Sequence, residues 1–243
     1  MLVPLTAAGC ASGREQDATP TGSPTGFPTP RKATAADYAW LTARSGLGEV
    51  YALTWIHRIE PAAVLALTGA RRLGSYPWPE DGWPDLPGVR RDEAVLAVTR
   101  LGGWALLVED SAPIGADDDV IARLSGNDRT VVTCAHNFEA DDRFVLARDG
   151  VVQVDFDPRY PVVRAGADPD RLLADMRSAG LDLSDNPDPG IPSEQAALAL
   201  AEHVTGVRLT AGLLHDSTYL AGAVPGPDGE AVNRLQPPAQ TRR

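Results

Sequence analysis

TVVTCAHN places Cys134 and His136 two residues apart. On a strand, that spacing puts both side chains on one face, where an imidazole beside a thiol could raise a nucleophile or supply half of a metal site. A hydrolase using Cys134 with His136 is one reading. Zinc asks for three or four ligands, and His57, His203 and His215 are scattered, with neither i, i+4 nor CxxC spacing. The sequence therefore predicts no metal site and no cofactor. Free cysteine is among the most buried residue types, so the simpler reading makes Cys134 a core residue and assigns no catalytic residue.

The carboxylates offer two further patterns. Asp155 and Asp157 end a strand and could flank a substrate as acid and base, while Asp182, Asp185 and Asp188 are spaced three apart in DLSDNPDPG, where calcium could sit. That loop lacks the EF-hand order of acid, glycine and glutamate, so turn formation explains it better. Asp117, Asp118 and Asp119 are explained by the helix they precede. GxSxG, HExxH, P-loop and GxGxxG patterns are all missing. A last candidate is the Trp-Pro loop with Tyr76, Trp78 and Trp83. Rings on a proline-stiffened loop can present an apolar face to a protein or small-molecule partner, or fold back over the sheet.

Composition narrows the partners. A net charge of −11 and a single lysine, Lys32, argue against nucleic acid, which needs clustered basic residues. No stretch is apolar enough to span a membrane. Cys10, however, follows Leu5, Thr6, Ala7, Ala8 and Gly9, which is similar to the end of a bacterial lipoprotein signal. From Met1 there is no room for the basic and apolar parts of such a signal, so Met1 reads as an internal or miscalled start. TPTGSPTGFPTP then supplies an extended tether. Acylated at Cys10, the protein would be lipid-anchored on the extracytoplasmic side of the cell membrane; the alternative is a cytoplasmic protein.

The elements that would position these residues follow from periodicity. Thr34 with Asp37 forms a capping box ahead of a helix running to about Arg44. YALTWIHRI reads as a strand, and Pro61 opens a helix that Gly69 closes. Between Gly74 and Gly88, four prolines and three glycines predict a loop. EAVLAVTRL and WALLVED form a hairpin at the sheet centre, TVVTCAHN adds a strand, and Asp149-Gly150 turns RFVLARDGVVQVDFD back on itself. Gly126 stops a helix over VIARLS, Asp168 with Pro169 begins another ending at Gly180, and the last helix spans Ser193 to Thr205. Trp40, Trp55 and Trp104 fall on regular elements and should be core.

GLGEVYALTWIHRIEPAAVLALTGA, GGWALLVED, HNFEADDRFVLARDGVVQVDFDP, GADPDRLLADMRSAGLD and AALALAEHVTGVRLT resemble, in this order, the blocks of an uncharacterised actinobacterial family, domain of unknown function 6461. The resemblance implies one domain and no activity. The expected fold is α+β: a single domain, mainly an antiparallel sheet of about five or six strands, with helices packed to one side. Residues 1–34 read as signal remnant and linker, 35–216 as the domain, and 217–243 as a disordered tail. The preferred function is a non-enzymatic binding domain displayed as a lipoprotein, against a cytosolic regulatory protein of the same fold or the Cys134/His136 hydrolase.

Overall fold

At Thr34 the backbone N–H donates to the Asp37 carboxylate at 2.8 Å, one arm of a capping box. A 3-10 turn, Ala35–Tyr38, leads into α1 (Trp40–Arg44), so the helix expected here is two short pieces. The computed structural model describes residues 31–44, 46–47, 50–79, 83, 86–110, 112–137 and 142–226. Those from Lys32 onward belong to one compact unit. Cys10 and the linker lie outside the described residues.

β1 (Tyr51–His57) is buried over nearly its whole length. α2 (Pro61–Thr68) opens on its proline and ends at Gly69, whose φ of 76° suits a residue without a Cβ. Next come β2 (Arg71–Pro77) and the hairpin of β3 (Glu93–Leu101) and β4 (Trp104–Glu109). Asp117 caps α3 (Asp118–Ser125), accepting from the N–H groups of Asp119 and Val120 at 2.9 and 3.2 Å. β5 (Thr130–His136), β6 (Arg143–Arg148) and β7 (Val151–Phe156) pair in succession. Between β6 and β7, Asp149 and Gly150 both take positive φ, 49° and 77°, as a type I′ turn requires. The chain closes with β8 (Arg164–Ala165), α4 (Leu173–Ala179), α5 (Ser193–Thr205), α6 (Ala211–Asp216) and β9 (Thr218–Pro225). α4 starts later than Asp168 because the stretch before it closes i→i+3 turns instead, with Arg171 N–H on the Asp168 carbonyl and Leu173 N–H on the Asp170 carbonyl, both at 3.2 Å.

The nine strands among the described residues join one antiparallel sheet in the order β2-β9-β3-β4-β1-β5-β6-β7-β8. The architecture is α+β, but the expected five or six strands and one-sided helices are corrected. α2 and α3 cover one face, packing Val64, Leu65, Ile121 and Leu124 on Leu96, Leu107 and Val131. α1, α4, α5 and α6 belong to the other, where Leu53, Leu106 and Val132 meet the alanine-rich side of α5. Central strands that are apolar on both faces need a cover on each.

Two hidden strands account for most of the miscount. β2 occupies part of the stretch read as loop: it is an edge strand, which tolerates Pro77, and its register shifts between Arg72 and Gly74, a bulge that glycine accommodates. β9 lies past the expected domain end at 216 and fills the place between β2 and β3. The folded body therefore extends to Pro225, and Thr218–Pro225 is corrected from tail to strand.

Candidate functional site

Alternation along β5 points Val132, Cys134 and His136 toward α5. His136 ends the strand and is half-buried, and Asp142, which is 3% exposed on its side chain, immediately precedes β6. Glu194 stands in the first turn of α5. These three meet. The His136 Nδ1 lies 2.5 Å from Asp142 Oδ1 and 3.6 Å from Glu194 Oε1. Tyr51, the first residue of β1, donates its O–H to Glu194 Oε2 at 3.0 Å and holds its ring 5.5 Å from the imidazole.

The electrostatics follow from this packing. The hydrogen bond to Asp142 raises the His136 pKa against the opposing effect of burial, with the Asp142 and Glu194 charges assisting. Burial pushes the Tyr51 hydroxyl well up, and the neighbouring Glu194 charge adds to it, so Tyr51 stays a donor. Arg159 approaches Asp142 to 3.8 Å but is engaged by Asp157 at 2.8 Å. Two carboxylates and one imidazole thus converge, each from a separate element, and one ligand atom from each lies within 4.8 Å of the others.

Cys134 is not part of this chemistry. Its Sγ is buried, points at the Ala197 carbonyl 3.6 Å away, and burial raises its pKa far from the range of a reactive thiolate. The hydrolase built on Cys134 and His136 loses its nucleophile. His136 takes Asp142 and Glu194 as partners instead, and neither acid was legible as a site residue. Glu194 looked like any acid in a first helical turn.

The remaining candidates have structural employment. Asp155 binds Arg143 at 2.7 Å and Asp157 binds Arg159, so they do not flank a substrate as a pair. Asp182 accepts from the Ser184 and Asp188 N–H groups, both at 3.0 Å, and Asp188 accepts from Gly190 at 2.8 Å, which are turn contacts. Trp83 is fully buried and Trp78 packs edge-on against it and Tyr219, at 5.7 and 5.9 Å. With Tyr76 paired opposite Tyr219 in the sheet, these three rings do not form the exposed apolar face expected of a docking surface. Trp55 is core; Trp40 and Trp104 are half-buried against it. His57 stacks by Trp104 at 4.7 Å and His215 by Trp78 at 5.1 Å.

One more titratable group went unnoticed in the sequence. Glu109, at the end of β4, is fully buried, accepts the Gly115 N–H at 2.9 Å, and is pushed by burial to a pKa of about 8.

A family model described as a family of unknown function, DUF6461, matches residues 31–228. No curated protein and no solved structure matches the chain.

Proposed function

The chain belongs to that family of unknown function, and we propose that it is a non-enzymatic binding domain whose ligand is a first-row divalent cation held by His136, Asp142 and Glu194. The observation that carries this reading is the convergence of three ligand atoms from three elements within 4.8 Å. One imidazole with two carboxylates is a donor set that such ions accept. Ligand atoms stand about 2.0–2.2 Å from the ion, so two of them are at most about 4.4 Å apart. Small side-chain rotations close the set to that size, and the ion replaces the proton shared by His136 and Asp142. The Tyr51 O–H occupies Glu194 Oε2 and leaves Oε1 facing the imidazole.

Display at the membrane is the second part of the proposal. It is supported by the small residues before Cys10 and by the Pro-Thr-Gly linker behind it. In this reading Cys10 carries the acyl chains of an actinobacterial lipoprotein and the domain faces outward.

Titration calorimetry of Zn²⁺ and Mn²⁺ into metal-stripped protein tests the site. One ion per chain is expected, with affinity falling by at least about tenfold in both His136→Ala and Glu194→Gln. Cys134→Ser should bind as the parent does. No heat, or unchanged affinity in both ligand variants, rejects the cation. Detergent phase separation of the native protein tests the anchor separately: the detergent phase is expected, and Cys10→Ser should move the protein to the aqueous phase. Native protein found in the aqueous phase with its first nine residues intact favours the cytosolic alternative.

A further inference from the structure

The other end of α5 carries a different kind of cavity. Between α4, the C-terminal turns of α5 and the face of β5–β7 lies a groove of about 280 Å³, floored by Leu146, Leu172 and Val204 and walled by Arg148, Arg171 and His203. This is close to the lower size of a small-ligand site, and its make-up of apolar floor and few polar groups is the usual one. Two features of the polar groups point to what it takes.

The first is charge. In a chain of net charge −11, two guanidinium groups edge one concavity. Arg171 makes no ion pair among the described residues, and Arg148 has only a long contact of 3.7 Å to Asp128. The one acid in the wall, Asp175, is bound by Lys32 at 2.7 Å. The cations therefore outnumber the anions around the opening. A planar guanidinium matches a carboxylate or phosphate with two parallel hydrogen bonds.

The second is an unsatisfied imidazole. The His203 side chain is 2% exposed and its Nε2 sits 2.8 Å from the Ala33 carbonyl, so that nitrogen must carry the proton. In the neutral ring Nδ1 is then an acceptor. It has no hydrogen-bond partner among the described residues, and the nearest charged atom is an Asp175 carboxylate oxygen at 3.4 Å, which is itself an acceptor. A buried acceptor left without a donor costs stability unless something supplies one.

We propose that this groove binds a small organic anion bearing a hydroxyl group: Arg148 and Arg171 hold the carboxylate or phosphate, and His203 Nδ1 accepts from the hydroxyl. The site is independent of the cation site at the opposite end of α5, and either can fail without the other. Gln153 and Thr130 line the same groove and supply further polar contacts for the carbon frame.

Nitrogen-15 NMR of the folded protein reads the proposal directly. Glycerol 3-phosphate and tartrate are the probes for the phosphate and carboxylate forms; inorganic phosphate and glycerol are the controls, each carrying half of the chemistry. At least one probe is expected to shift His203 Nδ1 and the Arg148 and Arg171 side-chain resonances, with affinity at least about tenfold above both controls. Arg148→Gln with Arg171→Gln should weaken that binding by about tenfold or more, and both positions are exposed enough for the fold to survive. His203→Gln, whose side chain still offers an acceptor, should keep part of it. Silence from both probes overturns the proposal, as does binding unchanged in the double arginine variant. Inorganic phosphate binding as tightly as glycerol 3-phosphate overturns it as well, because the hydroxyl would then contribute nothing.

Discussion

Glu109 shows what one buried acid does to the pH response of the fold. Its folded-state pKa, about 8, stands above that of an exposed glutamate because burial disfavours the charge more than the Gly115 N–H favours it. A raised pKa stabilises the folded state fully below the unfolded value, and that stability is lost as pH climbs through the folded one. Urea unfolding should therefore show stability falling between pH 5 and about pH 8, with Glu109→Gln flattening the decline and exceeding the parent at about pH 9. A parent curve flat over that window would mean that Glu109 is solvated. Gly115 tests the same pocket sterically. A Cβ there would lie 2.6 Å from Glu109 Oε2 and 2.8 Å from Thr54 Oγ1, so Gly115→Ala should cost about 1–3 kcal/mol in the same assay. At this scale the sequence told which residues share a strand face, as with Cys134 and His136. It could not tell that Asp142 and Glu194 approach His136, since that depends on how α5 lies across β5.

α5 is the element whose ends the sequence placed well, at Ser193 and Thr205, through the spacing of its apolar face. Its anchoring was not visible. Tyr51 bonds Glu194 near one end and Tyr38 bonds Glu202 near the other, at 3.0 and 2.9 Å, so two phenols pin the helix to the sheet and to the 3-10 turn. Tyr38→Phe is expected to cost about 1 kcal/mol in urea unfolding, toward the low end because Arg208 still pairs with Glu202. A cost of several kcal/mol would show that Glu202 needs the phenol. Trp83 makes the opposite case, an aromatic read as a candidate recognition group that is core. Trp83→Ala should cost about 3–5 kcal/mol, measured by thermal or chemical unfolding, and a neutral effect would return the ring to the surface. Proline-rich surroundings hid β2 for a physical reason: an edge strand needs ladder hydrogen bonds on one side only, so it accepts residues a central strand refuses.

For the whole molecule, the antiparallel class and the central hairpin were legible because local turn chemistry and alternation encode them. The sheet order was not, because β9 joins partners far away in the sequence. Removing it exposes two strand edges at once, on β2 and on β3. A chain ending at residue 216 should lack the cooperative unfolding transition and the near-ultraviolet circular dichroism of the parent, while a chain spanning 32–226 keeps both. If the shorter chain unfolded as the parent does, the sheet would be stable without its inserted strand.

That insertion also sets when folding can finish. As the polypeptide leaves the ribosome, β2 and β3 emerge with a gap between them that only residues 218–225 can fill. Until those residues are free, the nascent sheet has an unzipped seam where β2 and β3 lack their shared neighbour. The order of the strands holds back closure of the sheet until residues 218–225 have been made.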